Sequence, residues 1–260
     1  MTTGDPIVKE LPDEARQALR RCVTELKTLL EAEPASLVLF GSAARGEYLP
    51  GRSNLNLLIV PERVDVALLR RLAQAWKRWS RDQILAPLVL TRAELAVSAR
   101  LFPLECLDLL AAHVLLAGDD PFRGLEVEEA GLHEACEREL RNNVLRLRQR
   151  VLEGGGGEEA MSMLLCLSTT SAVPALRGLL RLRERPIPRS SDAVIQEAAA
   201  AWGFDPLALH EGFKLKRGLI SPGPKELPRL FQRHLEALDD IVQRLAGARN
   251  HDRMQGRLGS

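Results

Sequence analysis

The sequence predicts an α+β unit followed by an all-α helical bundle, and three observations lead to that fold class. Three short apolar runs with strand character alternate with helical patterns over residues 1–120. Long amphipathic patterns with helical spacing, and no run typical of a strand, occupy residues 121–250. Between two of the apolar runs lies a Gly-Ser pair that leads from a strand into a helix. We therefore expect two domains, 1–120 and 121–250, and a flexible polar tail over 251–260.

The elements of the first domain follow from the spacing of its apolar residues and from the residues that interrupt it. Helices have apolar residues three or four positions apart, whereas strands are short apolar runs that end at proline, glycine or polar residues. Pro87 has no N–H group, so its run is expected at a sheet edge or a bulge. The predicted order is a helix over 12–32, strands over 36–40 and 54–60, a helix over 64–80, a strand over 83–90 and a further helix.

The second domain is predicted to consist of helices alone. The run Gly154–Gly157 is too short to act as a long linker and instead separates two helices. Pro174 lies inside a helical pattern, where we expect a kink. The predicted helices cover 126–152, 158–184, 190–202, 205–216 and 225–246, which favours an antiparallel bundle.

Composition and cysteine usage exclude several classes of protein. Hydrophobic residues make up 45% of the chain, charged residues make up 27% and the net charge is +1, which excludes a disordered tail. No uncharged stretch approaches the roughly 20 apolar residues of a membrane span, and no secretion signal opens the chain. The four cysteines include no C-x-x-C pair, which disfavours a metal knuckle. We expect a cytoplasmic protein of bacterial type, with reduced cysteines and no membrane partner.

The basic residues are unusual, because thirty are arginine and six are lysine. They are balanced by 35 acidic residues, and aromatic residues make up only 4% of the chain, so no nucleic-acid partner is expected. Arg229 with His234, and Arg244 with His251, have the spacing of the Arg…His motif in HEPN ribonucleases. Because so many arginines produce about this number of pairs by chance, neither pair indicates a ribonuclease.

The segment Leu37–Val60 carries the motif with the clearest chemical content. An apolar strand ends at Gly41-Ser42, eleven residues follow, and a second strand begins with Asn54 and Asn56. Because alternate residues of a strand face the same side, the two asparagines share a face. In this order of elements, and in the local sequence GSAARGE, residues 12–118 resemble the nucleotidyltransferase superfamily with its polymerase-beta-like fold. The helical half resembles, more loosely, the helical domains of aminoglycoside nucleotidyltransferases and the HEPN partners of minimal nucleotidyltransferases.

The resemblance implies a small mixed sheet with flanking helices and a role for each part of the motif. Gly41 and Ser42 would bind the triphosphate of a nucleotide through backbone N–H groups and the hydroxyl. Arg45 would contact a phosphate oxygen if its side chain points inward. Active members of the family hold Mg²⁺ with two acidic residues, at the positions that Asn54 and Asn56 occupy here.

The sequence departs from the family at the residues that would hold the metal. Both asparagines retain a carbonyl oxygen but lose the negative charge that Mg²⁺ usually requires. A third carboxylate is expected on the third strand, where Ala86 or Leu88 occupies the corresponding position. Asp82 and Glu94 flank that strand without matching its period. We therefore predict no metal ligands, and we expect Mg-ATP as a cofactor only if some activity is retained.

Several residues admit a simpler interpretation. The two asparagines could be no more than the polar start of a strand, and Arg45 and Glu47 could belong to a solvated loop. Glu105 and Asp108 either mark a helix boundary and face water or a neighbouring arginine, or they line a cleft between the domains. The sequence leaves these alternatives open.

The sequence is compatible with three candidate functions. The first is a catalytically degenerate protein of nucleotidyltransferase fold that binds a nucleotide or a partner in the interdomain cleft. The second is an active Mg-dependent enzyme that adds a nucleoside monophosphate to a small hydroxylated acceptor. The third is a non-catalytic scaffold or antitoxin-like interaction protein, for which a homodimer formed through the helical domain is one arrangement.

Overall fold

The computed structural model describes residues 6–31, 33–154 and 156–258, with side chains described as far as residue 248. The chain divides into two compact units, residues 1–127 and residues 128–260. The predicted fold class, an α+β unit with a mixed sheet followed by a helical region, is confirmed. Ala32 and Gly155, which belong to predicted elements, lie outside the described residues, as do residues 259 and 260 of the predicted tail.

The first unit contains a four-stranded mixed sheet. Its strands are β1 (Ala35–Phe40), β2 (Asn56–Pro61), β3 (Leu88–Val89) and β4 (His113–Ala117), in the spatial order β3-β2-β1-β4. Strand β1 pairs antiparallel with both β2 and β4, while β2 pairs parallel with β3. Strand β3 lies at a sheet edge, as Pro87 predicts, but it is two residues long instead of covering 83–90.

Strand β4 is absent from the sequence prediction, which placed only a helix after β3. The segment from Leu104 to Ala117 is almost uninterruptedly apolar and has no glycine or proline between its helical and extended parts. Apolar periodicity alone cannot separate a buried helix from a buried strand in such a run. Pairing with β1 makes the difference, because β4 satisfies the backbone groups on the second edge of that strand.

Six helices are described around the sheet. The first was not predicted, and two helices follow β3 where a single one was predicted. They are α1 (Pro6–Glu10), α2 (Asp13–Leu29), α3 (Ser42–Arg45), α4 (Val66–Trp79), α5 (Arg92–Leu101) and α6 (Pro103–Ala111), with a 3₁₀ turn at Ser80–Asp82. Helix α5 begins with a capping box, in which Thr91 and Glu94 bond to each other's backbone N–H. The cap fixes the point at which the chain leaves β3.

The sheet is covered on both faces, so alternate residues of its strands enter different cores. Leu57 and Ile59 of β2 pack in the larger core with helices α2 and α4. Leu58 and Val60 of the same strand pack in the smaller core with Leu95 of α5. Burial on both faces explains why these strands appear in the sequence as continuous apolar runs without alternation.

The second unit consists of helices and their connecting loops, with no strand among its described residues. Its helices are α7 (Leu132–Glu153), α8 (Glu158–Arg181), α9 (Ser191–Trp202), α10 (Leu207–Lys216) and α11 (Leu227–Leu258). Helix α8 continues through Pro174 and packs against the other four. Among the described helices, α8 alone is long and apolar enough to cross a membrane, yet 67% of its most apolar stretch is buried in the protein. That burial is typical of the core helix of a bundle.

A buried polar cluster links three helices of the second unit. The Ser168 hydroxyl on α8 donates to Oδ1 of Asn143 on α7 at 2.7 Å and accepts from Nε2 of His234 on α11, also at 2.7 Å. Nδ2 of Asn143 donates to the Ser168 carbonyl at 2.9 Å. All three side chains are at most 4% exposed. The imidazole of the Arg229…His234 pair is therefore inside the bundle, while Arg229 is exposed.

We predict that this cluster makes the stability of the second unit sensitive to acid. Burial lowers the pKa of His234 from 6.5 to about 4, against a smaller opposing effect of the Ala208 backbone. Between about pH 6.5 and about pH 4 the unfolded chain therefore binds a proton that the folded chain does not. The free energy of unfolding should fall through that window by up to roughly 3 kcal/mol, as measured by urea denaturation.

Replacement of the titrating group provides the control for this prediction. His234→Gln should lower stability at neutral pH but flatten its dependence on pH, because the amide does not titrate. An equally steep loss of stability in His234→Gln and in the native protein would contradict the assignment.

Candidate functional site

The Gly-Ser pair forms a tight turn between β1 and α3. Gly41 has φ 78° and ψ −153°, a backbone conformation that side chains disfavour. Helix α3 then makes a single turn, and Gly46 ends it in the left-handed conformation with φ 76°. The Glu47 N–H donates to the Ser42 carbonyl at 2.8 Å, so the chain folds back directly over the turn. The predicted strand-to-helix geometry of the motif is present.

Asn56 lies immediately beside this turn. It is the first residue of β2 and pairs in register with Phe40, the last residue of β1. A Cβ atom at position 41 would lie 2.6 Å from the Asn56 amide nitrogen, so the glycine leaves the space that the amide occupies. The Asn56 side chain is half-buried and makes no hydrogen bond to the described residues.

Asn54 lies just before β2 and is exposed. Leu55, between the two asparagines, is fully buried and forms a bridge with Ile84. Because side chains of an extended chain alternate, Asn54 and Asn56 lie on the side opposite Leu55. The structure therefore brings Asn56 against Gly41, with Asn54 farther out on the same side.

Arg45 points into a carboxylate pair. Its Nε donates to Glu47 at 3.0 Å, and its Nη1 lies 3.2 Å and 3.4 Å from the two oxygens of Asp108 on α6. The three side chains are 10%, 14% and 20% exposed, respectively. Of the two interpretations of Asp108, the one with a neighbouring arginine matches this geometry, whereas Glu105 is exposed. The guanidinium joins the turn to α6, and its assignment as a phosphate contact remains a prediction.

The position of a third metal ligand holds no carboxylate. Leu58 pairs with Leu88 and Leu55 forms a bridge with Ile84, so the segment opposite Asn56 is Leu85–Pro87, which contains no carboxylate. Asp82 binds Arg21 at 2.8 Å, and Glu94 caps helix α5. No group of three histidine, cysteine or acidic side chains with metal-binding geometry occurs among the described residues. The residues present therefore do not fit the Mg²⁺ site that the resemblance implies.

His113 is a neighbour of the turn that sequence reasoning missed. It pairs with Phe40 across β1 and β4, opposite the Asn56 pairing, so the three residues form one row across the sheet. Its Nδ1 lies 2.9 Å from the Leu109 carbonyl, and its ring lies 4.6 Å from the Phe122 ring. The strand that carries His113 was itself not predicted, so no sequence signal placed it beside the turn.

Tyr48 and Cys106, two weak acids of the first unit, have raised pKa values and are protonated at neutral pH. Burial raises the pKa of Tyr48, in the loop after α3, above its ordinary value. Burial, and then the neighbouring Glu105, raise the pKa of the Cys106 thiol to about 11. A protonated thiol is a poor nucleophile at neutral pH. Neither side chain is therefore activated as a nucleophile at neutral pH.

We predict that Arg45 contributes to stability through its carboxylate pair. Arg45→Met keeps much of the side-chain volume but leaves Glu47 and Asp108 without the guanidinium in a mostly buried position. The free energy of unfolding should fall by about 2 kcal/mol, less than for fully buried pairs. Arg63→Met is the matched control, because its pair with Asp65 is exposed at 4.0 Å and should matter little. Equal effects of the two changes in urea denaturation would contradict the prediction.

Comparison with known proteins agrees with the geometry of the turn. Residues 19–100 match the family model described as a nucleotidyltransferase domain. The match begins within α2 and ends within α5, so it contains Gly41-Ser42 and both asparagines. A search of curated proteins finds no match. Residues 19–100 of this chain are therefore similar to the nucleotidyltransferase domain family, and a helical region follows them.

Proposed function

We propose that the first unit is a catalytically degenerate nucleotidyltransferase domain that binds a nucleotide at the Gly41-Ser42 turn. One observation carries the proposal: the turn of the family is present, while the residue packed against it is the amide Asn56 in place of a carboxylate. Electrostatic stabilisation is usually the largest part of catalysis, so its loss should reduce nucleotidyl transfer to near background.

An amide changes the kind of ligand that such a turn accepts. The Asn56 amide group donates hydrogen bonds, and a phosphate oxygen is a strong acceptor. Carboxylates at the same position would repel a triphosphate unless Mg²⁺ lay between them. Nucleotide binding without a metal is thus the mode that this side chain favours.

Arg45 also connects the turn to helix α6. Arg45 is already paired with Glu47 and Asp108, so a direct contact with phosphate would require it to leave Asp108. We therefore assign Arg45 the role of holding the turn against α6. The nucleotide would then be bound by Gly41, Ser42 and Asn56.

The active-enzyme alternative has less support from the site. It requires carboxylates near the asparagines, from Asp82, Glu105 or Asp108. Asp82 pairs with Arg21 and Asp108 with Arg45, and no hydrogen bond joins either asparagine side chain to a described carboxylate. In that alternative, a small hydroxylated molecule would accept the nucleoside monophosphate.

The interaction-protein alternative has one observation in its favour. Large apolar side chains are exposed on α7 and α8, which gives the helical unit a surface for a homodimer or another partner. They are Leu145, Leu152, Met163 and Leu167, between 48% and 82% exposed.

The cytoplasm is the compartment that the cysteines favour. All four are free thiols, and three of them are buried.

The proposal predicts that ATP binds equally well with Mg²⁺ and with EDTA. Isothermal titration of the full chain under both conditions measures this, and a pyrophosphate-release assay measures turnover. Gly41→Ala should weaken binding at least about tenfold, because its methyl group pushes into the Asn56 amide at the turn.

The control for this experiment is Gly51→Ala in the loop between α3 and β2. Gly51 also has a positive φ, but nothing lies within 4 Å of a Cβ added there. Binding should survive that change. Efficient Mg²⁺-dependent pyrophosphate release would overturn the degenerate assignment, whereas no binding under either condition would favour the interaction protein.

A second prediction concerns the lost charges. Asn54→Asp combined with Asn56→Asp should make ATP binding depend on Mg²⁺, with affinity at least about tenfold higher in Mg²⁺ than in EDTA. The reason is that two carboxylates repel the triphosphate until a cation bridges them. Asn142→Asp, on the exposed side of α7, is the matched control. An unchanged response of the double variant to Mg²⁺ would show that the asparagines do not line the nucleotide site.

A further inference from the structure

A large cavity lies at the end of the sheet opposite the Gly41-Ser42 turn. Its volume is about 690 Å³, within the range of small-molecule sites. It is bounded by the start of β1 at Ala35 and by the ends of β2 at Pro61 and of β4 at Ala117. Since β1 spans roughly 17 Å, this strand-end cavity is separate from the turn that follows Phe40.

The two faces of the sheet contribute one cation each to the strand-end cavity. Lys27 lies in the last turn of α2, the helix that packs on the larger core. Arg92 opens α5, which packs on the smaller core through Leu95. The cavity therefore spans the end of the sheet with a basic side chain on each side.

Two acidic side chains complete the lining. Glu62 directly follows β2, and Asp119 follows β4 after one glycine. These two residues and the two cations form no ion pair with the described residues. Four exposed charges of both signs thus border one cavity without neutralising each other.

Local contacts hold the backbone around the cavity. Gly118 has φ 76°, and a Cβ there would lie 2.7 Å from the Ala35 carbonyl oxygen. The Ser36 hydroxyl donates to the Asp119 carbonyl, and the Thr91–Glu94 capping box fixes the start of α5. The cavity is thus formed before any ligand arrives, which lowers the cost of binding.

We infer that the strand-end cavity is a second ligand site, and that it takes a small zwitterion of the amino-acid or dipeptide type. The ligand carboxylate binds Lys27 or Arg92. The ligand ammonium binds Glu62 or Asp119. A simple anion meets repulsion from the two acids and a simple cation meets repulsion from the two bases, so the lining selects molecules that carry both charges.

Thermal denaturation of the full chain with each standard amino acid, and with the corresponding alanyl dipeptides, tests this site. At least one of them should raise Tm in a saturable way, and isothermal titration then gives its affinity. The N-acetylated form of that compound and its amide, each with one charge removed, should bind at least about fivefold more weakly.

Variants locate the binding. Lys27→Gln and Glu62→Gln should each weaken it about fivefold or more. Their matched controls are Lys77→Gln and Glu14→Gln, which neutralise exposed side chains outside the cavity lining. No nucleotide enters this experiment, so its result does not depend on the proposed nucleotide site.

Three results would overturn the inference. The first is no saturable shift with any member of the panel. The second is binding of the N-acetylated compound or of inorganic phosphate as tightly as the zwitterion, which would indicate a plain anion site. The third is an equal effect of the control variants, which would place the binding elsewhere.

Discussion

Strand β1 pairs along its whole length with β2 in an antiparallel register, and the organisation of the first unit depends on that ladder. The register joins Phe40 to Asn56, so the last residue before the turn and the first residue of the next strand are neighbours. If this register shifted by one residue, each apolar side chain of β2 would face the opposite core. The Asn56 amide would then lie away from Gly41. The apolar burial that selects this register therefore also places Asn56 beside Gly41.

The turn combines a close approach of the backbone with a neutral side chain. Gly41 leaves the space that the Asn56 amide occupies. An amide offers dipoles, whereas Mg²⁺ usually requires negative charge. The carboxylates of Glu47 and Asp108 are paired with Arg45. The described residues around the turn therefore favour hydrogen bonding over metal binding.

Much of the site was predictable because it is local in the sequence. Gly41, Ser42 and the two asparagines fall within sixteen residues, and strand alternation alone relates Asn54 to Asn56. The partner of Arg45 and the position of His113 were less accessible, since Asp108 lies 63 residues beyond Arg45 and His113 lies on a strand hidden in an apolar run. Pairings between residues so far apart depend on how elements pack, which periodicity does not report.

The sequence by itself determined the α+β unit, the helical region after it, the strand-to-helix turn and the two asparagines near that turn. Each of these features depends on residues that lie close together in the chain. The signals are the spacing of apolar residues, the position of glycine and the chemistry of the side chains. Tertiary structure alone decided that β4 is a strand, that Arg45 pairs with Asp108, and that Lys27 and Arg92 border one cavity. The physical reason is that these features join segments distant in the chain, and only the packing of both sheet faces brings them together.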